Sequence, residues 1–173
     1  MYYEAPGEAD ELCAYLCIKG KVWGCLSEDM DMFVYGCPRV IRYLSLLNNS
    51  MVVYDQKEIL QLLNMNQQDL REICVLSGTD YNIHNNCKSL TLYQSVSIFN
   101  KYKKSNSGDD FYSWVLNNTK YIEDYELLIK INKMFSLEDD SSLKMFDLIV
   151  LKNGSFDRKE IIDLLMKEGF IFP

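Results

Sequence analysis

Apolar side chains at Ala9, Leu12, Cys13, Leu16 and Cys17 recur every three or four positions, the spacing of one helix face. Pro6 suits the first turn of that helix, and Lys19-Gly20 supplies its stop. The pattern then changes: Lys21–Leu26 (KVWGCL) reads as a short strand running into the polar stretch SEDMD. Met32–Gly36 predicts a brief helical turn ended by Gly36 and Pro38. Arg39–Leu44 and Met51–Tyr54 read as two strands joined by the turn-prone SLLNNS. Asp55 is placed to cap a helix over Gln56–Leu63, and Asn66 to cap another over Gln67–Ser77, with Leu70, Ile73, Cys74 and Leu76 as its buried face.

After Gly78-Thr79-Asp80 the periodicity stays helical. Leu90–Tyr102, Phe111–Leu116 and Tyr121–Phe135 are expected helices, separated by the loop SNSGDD (105–110). LEDDSS (137–142) is a polar break, and Asp157 caps a last helix over Arg158–Lys167, closed by Gly169. The fold class is therefore α/β to about residue 80 and mostly α-helical afterward. No internal repeat or low-complexity stretch interrupts this order.

With 173 residues the chain suffices for one ordinary core, and 48% hydrophobic with 25% charged residues is a globular composition. No apolar run reaches membrane-spanning length, and MYYEAPGEAD lacks the basic and apolar regions of a signal peptide. The six cysteines form no CxxC pair. Cys13, Cys17 and Cys74 lie among apolar residues, where thiols act as small hydrophobes, so reduced cysteines in a nuclear or cytoplasmic compartment are expected. His84 is the only histidine, and His84-x-x-Cys87 has no partner pair, so ligand spacing argues against zinc.

Candidate chemistry rests on acids in three clusters: Glu8 and Asp10, Asp29 and Asp31, and Asp80. Carboxylates brought together repel one another and partly protonate unless a cation holds them. Hard oxygen donors in excess suit magnesium or manganese, which favour phosphate chemistry. Singly, each cluster is ordinary: acids are common in a helix's first turn, in polar loops and after a glycine. Asp29-Met30-Asp31 alone chooses no chemistry, because a DxD also occurs in glycosyltransferases and haloacid-dehalogenase-type phosphatases. The net charge of −7 argues against a non-specific nucleic-acid binder, and two bound divalent cations would bring it to about −3.

Three segments carry a resemblance, in order and spacing: APGEADELCAYL, GKVWGCLSEDMDMFVYGCPRVIRYL and NMNQQDLREICVLSGTDY. They resemble the flap endonuclease/XPG family of structure-specific 5′ nucleases over residues 3–81. The resemblance implies a PIN-like α/β nuclease core, here its C-terminal part over residues 1–81, followed by a helical DNA-binding region over 82–173. It implies that Glu8, Asp10, Asp29, Asp31 and Asp80 bind two magnesium ions and serve phosphodiester hydrolysis in DNA replication or repair. Asp10 stands where the family more often has glutamate, which leaves room for a water between this shorter side chain and metal.

Two departures qualify that expectation. The family's N-terminal half, with two further aspartates and a basic helical arch, has no counterpart here, so the chain is expected to need that segment for activity. The family's glycine-rich DNA-binding turn, often with potassium, is replaced by NIHNNCKSLTLY (82–93), which has no glycine to admit a phosphate closely. Lys88, Lys101, Lys103 and Lys104 remain as candidate phosphate contacts. The expected partner is branched or flap DNA, and no sliding-clamp peptide is visible near GFIFP. A rival reading keeps the core as a non-catalytic DNA- or protein-binding scaffold, although a scaffold has no physical need of five repelling acids.

Overall fold

The first helix, α1 (Ala9–Ile18), buries Leu12, Ala14, Tyr15, Leu16 and Cys17. The exposed face carries Cys13, which helical periodicity assigned to the core. In this computed structural model residues 3–82, 90–122, 124–137, 143–150, 157–167 and 169 are described. The strand expected over Lys21–Leu26 shortens to β1 (Cys25–Leu26). Helix termination explains the difference: the backbone N–H groups of Lys21 and Val22 both turn back to the Leu16 carbonyl, 2.9 and 3.4 Å away. Donors used to close a helix cannot join a sheet ladder.

Past β1 the chain forms α2 (Asp31–Tyr35), then β2 (Arg39–Ser45) and β3 (Ser50–Asp55). The sheet order is β1-β2-β3. β1 lies parallel to β2, with Cys25 opposite Val40, whereas β2 and β3 form an antiparallel hairpin with Arg39 opposite Asp55. The parallel pairing has a consequence for function: it aims the segment after Leu26 past the sheet's edge, beside the start of α1.

Asp55 caps α3 (Gln56–Leu63) by accepting the N–H groups of Lys57 and Glu58. Asn66 and Asp69 form a reciprocal capping box on α4 (Gln67–Ser77). Ile73 and Leu76 of the expected apolar stripe are buried, while Leu70 and Cys74 are half-buried. Next come α5 (Leu92–Ser105), α6 (Phe111–Asn118) and α7 (Tyr125–Met134). α7 begins four residues later than periodicity suggested, because the Asp124 carboxylate accepts the Leu127 N–H and sets its first turn. A 3-10 helix over Leu143–Leu148, which the sequence did not announce, docks on α1: Tyr15 donates to Asp147 Oδ1 at 2.7 Å, and Lys21 donates to the Asp147 carbonyl at 2.7 Å. The final α8 (Arg158–Lys167) has no buried residue, only Ile162 and Leu165 being half-buried, and is capped by Asp157 as expected.

One hydrophobic core runs through the sheet-bearing and the helical regions. α4 lies at its centre, packed on α2 from one side and on α5 and α7 from the other. Met32, Val40, Ile73, Val75, Phe99, Phe111, Tyr112, Ile131 and Phe135 are all fully buried within it. The Tyr112 hydroxyl is satisfied there, donating to the Glu72 carbonyl at 3.0 Å and accepting from Asn132 Nδ2 at 3.1 Å. Of the two tryptophans, Trp114 is half-buried beside Tyr102, and Trp23 is exposed under the Arg39 guanidinium.

Candidate metal centre

Each acid cluster is delivered by a different device. Glu8 is the N-cap of α1, without a side-chain capping bond, and Asp10 lies in its first turn, where the helix dipole favours acids. Asp29 follows β1, and its Oδ1 accepts the backbone N–H of Asp31 at 2.8 Å, closing the entry into α2. Asp80 stands on the turn after α4, which Gly78 permits by adopting φ +117°. Asn82 pins that turn: its Oδ1 accepts from the Thr79 hydroxyl at 3.1 Å, and its Nδ2 donates to the Val75 carbonyl at 3.0 Å.

Side chains that sequence reasoning gave no role tie the clusters together. The Ser27 hydroxyl donates to Asp10 Oδ1 at 3.3 Å and accepts the Asp29 N–H at 3.1 Å, bridging α1 to the acidic loop. Tyr35 donates to Glu8 Oε2 at 3.3 Å, and Tyr81 donates to Glu8 Oε1. Their only sequence signal is position, Tyr35 at the end of the second motif and Tyr81 directly after the third acid. Both rings lie against buried Phe135, 4.9 and 6.1 Å between centroids, so the end of α7 supports the glutamate from below.

The five acids lie within electrostatic reach of one another, although among the described residues no three of them bring carboxylate oxygens within 4.8 Å. The Asp31 carboxyl is pushed up to about 6, first by burial and then by Asp29, Asp80, Glu8 and Asp10. Asp10 is raised by burial, by Asp29 and by Glu8, partly offset by the Ser27 hydrogen bond. Among the described residues none of the five forms an ion pair, whereas neighbouring Glu28 is neutralised by Arg42 at 3.3 Å. Five oxygen donors that repel each other, without a protein cation among them, match the requirements of a hard divalent ion.

The candidate phosphate contacts are placed differently. Lys101 and Lys104 are exposed on α5. Lys103 is held by Asp69, with Nζ 3.2 Å from Oδ1, and lies 4.9 Å from the Phe99 ring centroid. Lys88 lies outside the described residues.

The family model described as the XPG I-region matches residues 1–80, the stretch that carries every one of these acids. The chain belongs to the flap endonuclease/XPG family. It is 42% identical to flap endonuclease 1 of Glycine max over 81 residues, 45% of this chain and 21% of that protein. The chain also superposes on the solved flap endonuclease-1 of Methanococcus jannaschii with a TM-score of 0.64 at 26% identity, over 96% of this chain and 47% of that one. The Holliday junction-resolving enzyme GEN1, solved with product DNA and Mg2+, shares the fold at 18% identity and a TM-score of 0.57, over 95% of this chain and 43% of that one. This family member spans less than half the length of the curated relatives it matches. No helix among the described residues is long and apolar enough to cross a membrane.

Proposed function

We propose that this chain supplies the carboxylate face of a magnesium-dependent, structure-specific nuclease that hydrolyses phosphodiester bonds in flap or branched DNA. The observation that carries the reading is the match of residues 1–80, with all three acid clusters, to the XPG I-region; burial and then Asp29, Asp80, Glu8 and Asp10 also raise the Asp31 carboxyl. In this reading Glu8, Asp10, Asp29, Asp31 and Asp80 hold two magnesium ions, with manganese able to substitute. Bound divalent metal neutralises the site, lowers the pKa of a coordinated water and stabilises the leaving oxygen.

The remaining side chains position those ligands. Tyr35 and Tyr81 fix both oxygens of Glu8, and Ser27 orients Asp10 relative to Asp29. Lys101 and Lys104 are the exposed cations on α5 available to a DNA backbone, and Lys103 joins them only by leaving Asp69. Residues 1–81 act as the C-terminal part of the nuclease core and residues 82–173 as a helical DNA-binding region. An upstream nuclease segment completes the substrate-gripping side, and the assembly works in the nucleus or cytoplasm during DNA replication or repair.

The alternative is a scaffold that keeps the nuclease fold without its metals. Thermal melting of the chain with magnesium or manganese separates the two. A functional centre raises Tm in the wild type and leaves Asp31→Ala unmoved, because an ion that binds only the folded state stabilises it. With the upstream segment supplied, Asp31→Ala should abolish cleavage of a 5′ flap while flap binding persists. A Tm indifferent to both metals assigns the chain to the scaffold.

A further inference from the structure

Below the acidic surface lies a second cluster that ligand spacing concealed. Cys17 of α1, Cys25 of β1 and Cys37, just after α2, bring their Sγ atoms within 4.8 Å of one another, and all three are buried. Cys13, one helical turn before Cys17, accepts the Cys25 thiol at its backbone carbonyl, and its own side chain is exposed. Three sulfurs thus meet from three elements, with Cys13 outside the group at the solvent edge.

We propose that Cys17, Cys25 and Cys37 form a three-thiolate site for a soft divalent cation of the zinc type, its fourth position left to a water or another outside donor. Geometry and chemistry both support it. Tetrahedral zinc with Zn–S bonds of about 2.3 Å needs sulfurs about 3.8 Å apart, so these three need contract by at most about 1 Å. Sulfur donors select zinc over magnesium, so this site and the carboxylates do not compete for one ion. A fixed positive charge is also at hand. The Trp23 carbonyl that accepts the Cys17 thiol at 3.7 Å also accepts Arg39 Nη1 at 3.2 Å.

In the metal-free fold the cluster is protonated, with Cys25 donating to the Cys13 carbonyl at 3.1 Å and Cys37 to the Arg39 carbonyl at 3.4 Å. Metal binding releases each ligand's proton to solvent and leaves a thiolate on the ion, with no change in oxidation state. The elements joined are the ones that carry acids: α1 bears Asp10, β1 leads to Asp29, and α2 begins at Asp31. A bound soft ion would therefore lock together the frame of the hard-metal site.

The test is cobalt titration of the reduced 173-residue chain, with excess magnesium present to occupy the carboxylates. Sulfur-to-cobalt charge transfer reports thiolate ligation, which carboxylate-bound cobalt does not produce. The expected result is one equivalent of cobalt with that absorption, displaced by one equivalent of zinc. Cys25→Ser and Cys37→Ser should bind at least about tenfold more weakly, the loss seen when even a supporting group of a metal site is removed. Cys74→Ser should be unchanged.

Absent charge transfer in the wild-type chain overturns the proposal, and that measurement needs no variant to fold. Absorption that survives both Cys25→Ser and Cys37→Ser also overturns it, by moving the ion to other thiols. So does recovery of the cluster as a disulfide whose reduced form takes up no zinc. Magnesium binding at the acids is read separately by melting, so failure here leaves the nuclease reading standing.

Discussion

Tyr81 donates its hydroxyl to Glu8 across 73 positions of sequence, joining the residue after the last acid motif to the first. Tyr35 holds the other carboxylate oxygen, and Phe135 packs under both rings. Through this contact the helical region takes part in aiming a carboxylate that the sheet-bearing region presents.

Removing one of those hydroxyls should loosen Glu8 without unfolding the protein. Tyr81→Phe is expected to cost about 1 kcal/mol of metal binding, the usual worth of one hydrogen bond, or roughly fivefold in affinity. Calorimetric titration with manganese checks this, and affinity equal to wild type would remove Tyr81 from the site.

Asp31 should trade stability for function. Replacing it with asparagine keeps the shape and removes the carboxylate most crowded by its neighbours. Asp31→Asn is therefore expected to melt higher than wild type without metal, and to lose most of the Tm rise that magnesium gives the wild type. A lower metal-free Tm would mean that repulsion at this position is already relieved.

Burial of Asp31, and then its acidic neighbours, sets a pH dependence. Because the folded-state pKa of Asp31 is raised to about 6, the folded chain holds that proton more tightly than the unfolded chain does. The resulting stabilisation is fully present below the unfolded value and disappears as pH rises through about 6; Asp10, also raised, adds in the same direction. Metal-free Tm should fall between about pH 4 and about pH 6, with a shallower slope in Asp31→Asn. Saturating magnesium should flatten the wild-type slope. Melting curves across that window decide the matter.

The short helix bearing Asp31 depends on borrowed donors at its far end. Gln67 Nε2 donates to the Phe33 and Val34 carbonyls at 3.0 and 2.9 Å, and buried Gln56 donates to Phe33 at 3.0 Å. Gly36 closes α2 at φ +84°, where an added Cβ would sit 3.0 Å from Gln67 Cδ. Gln67→Leu should cost about 2 kcal/mol by stranding carbonyls, and Gly36→Ala a similar amount through backbone strain and that contact. Chemical denaturation measures both, and a loss below about 0.5 kcal/mol would show the end of α2 to be held otherwise.

Local signals carried much of this architecture. The caps Asp55, Asn66 and Asp157 were legible because each satisfies N–H groups two or three residues ahead, within a single turn of chain. The β2–β3 hairpin was legible for the same reason, being a pairing of neighbours in sequence. The first strand was overread because nothing in KVWGCL records that the Leu16 carbonyl claims the donors of Lys21 and Val22. The 3-10 helix was missed because its partners, Tyr15 and Lys21, lie more than a hundred positions away.

By itself the sequence determined the acids, their order and the elements that carry them, since capping and periodicity act within a few residues and motif spacing survives in the chain. Only the tertiary structure decided what those elements bring together. It brought Asp31 within electrostatic reach of four other acids, set Tyr35, Tyr81 and Ser27 as supports of Glu8 and Asp10, and gathered three cysteines with no paired spacing into one buried cluster. Through-space repulsion and ligand geometry depend on distance in the folded chain, and separation along the sequence does not encode that distance.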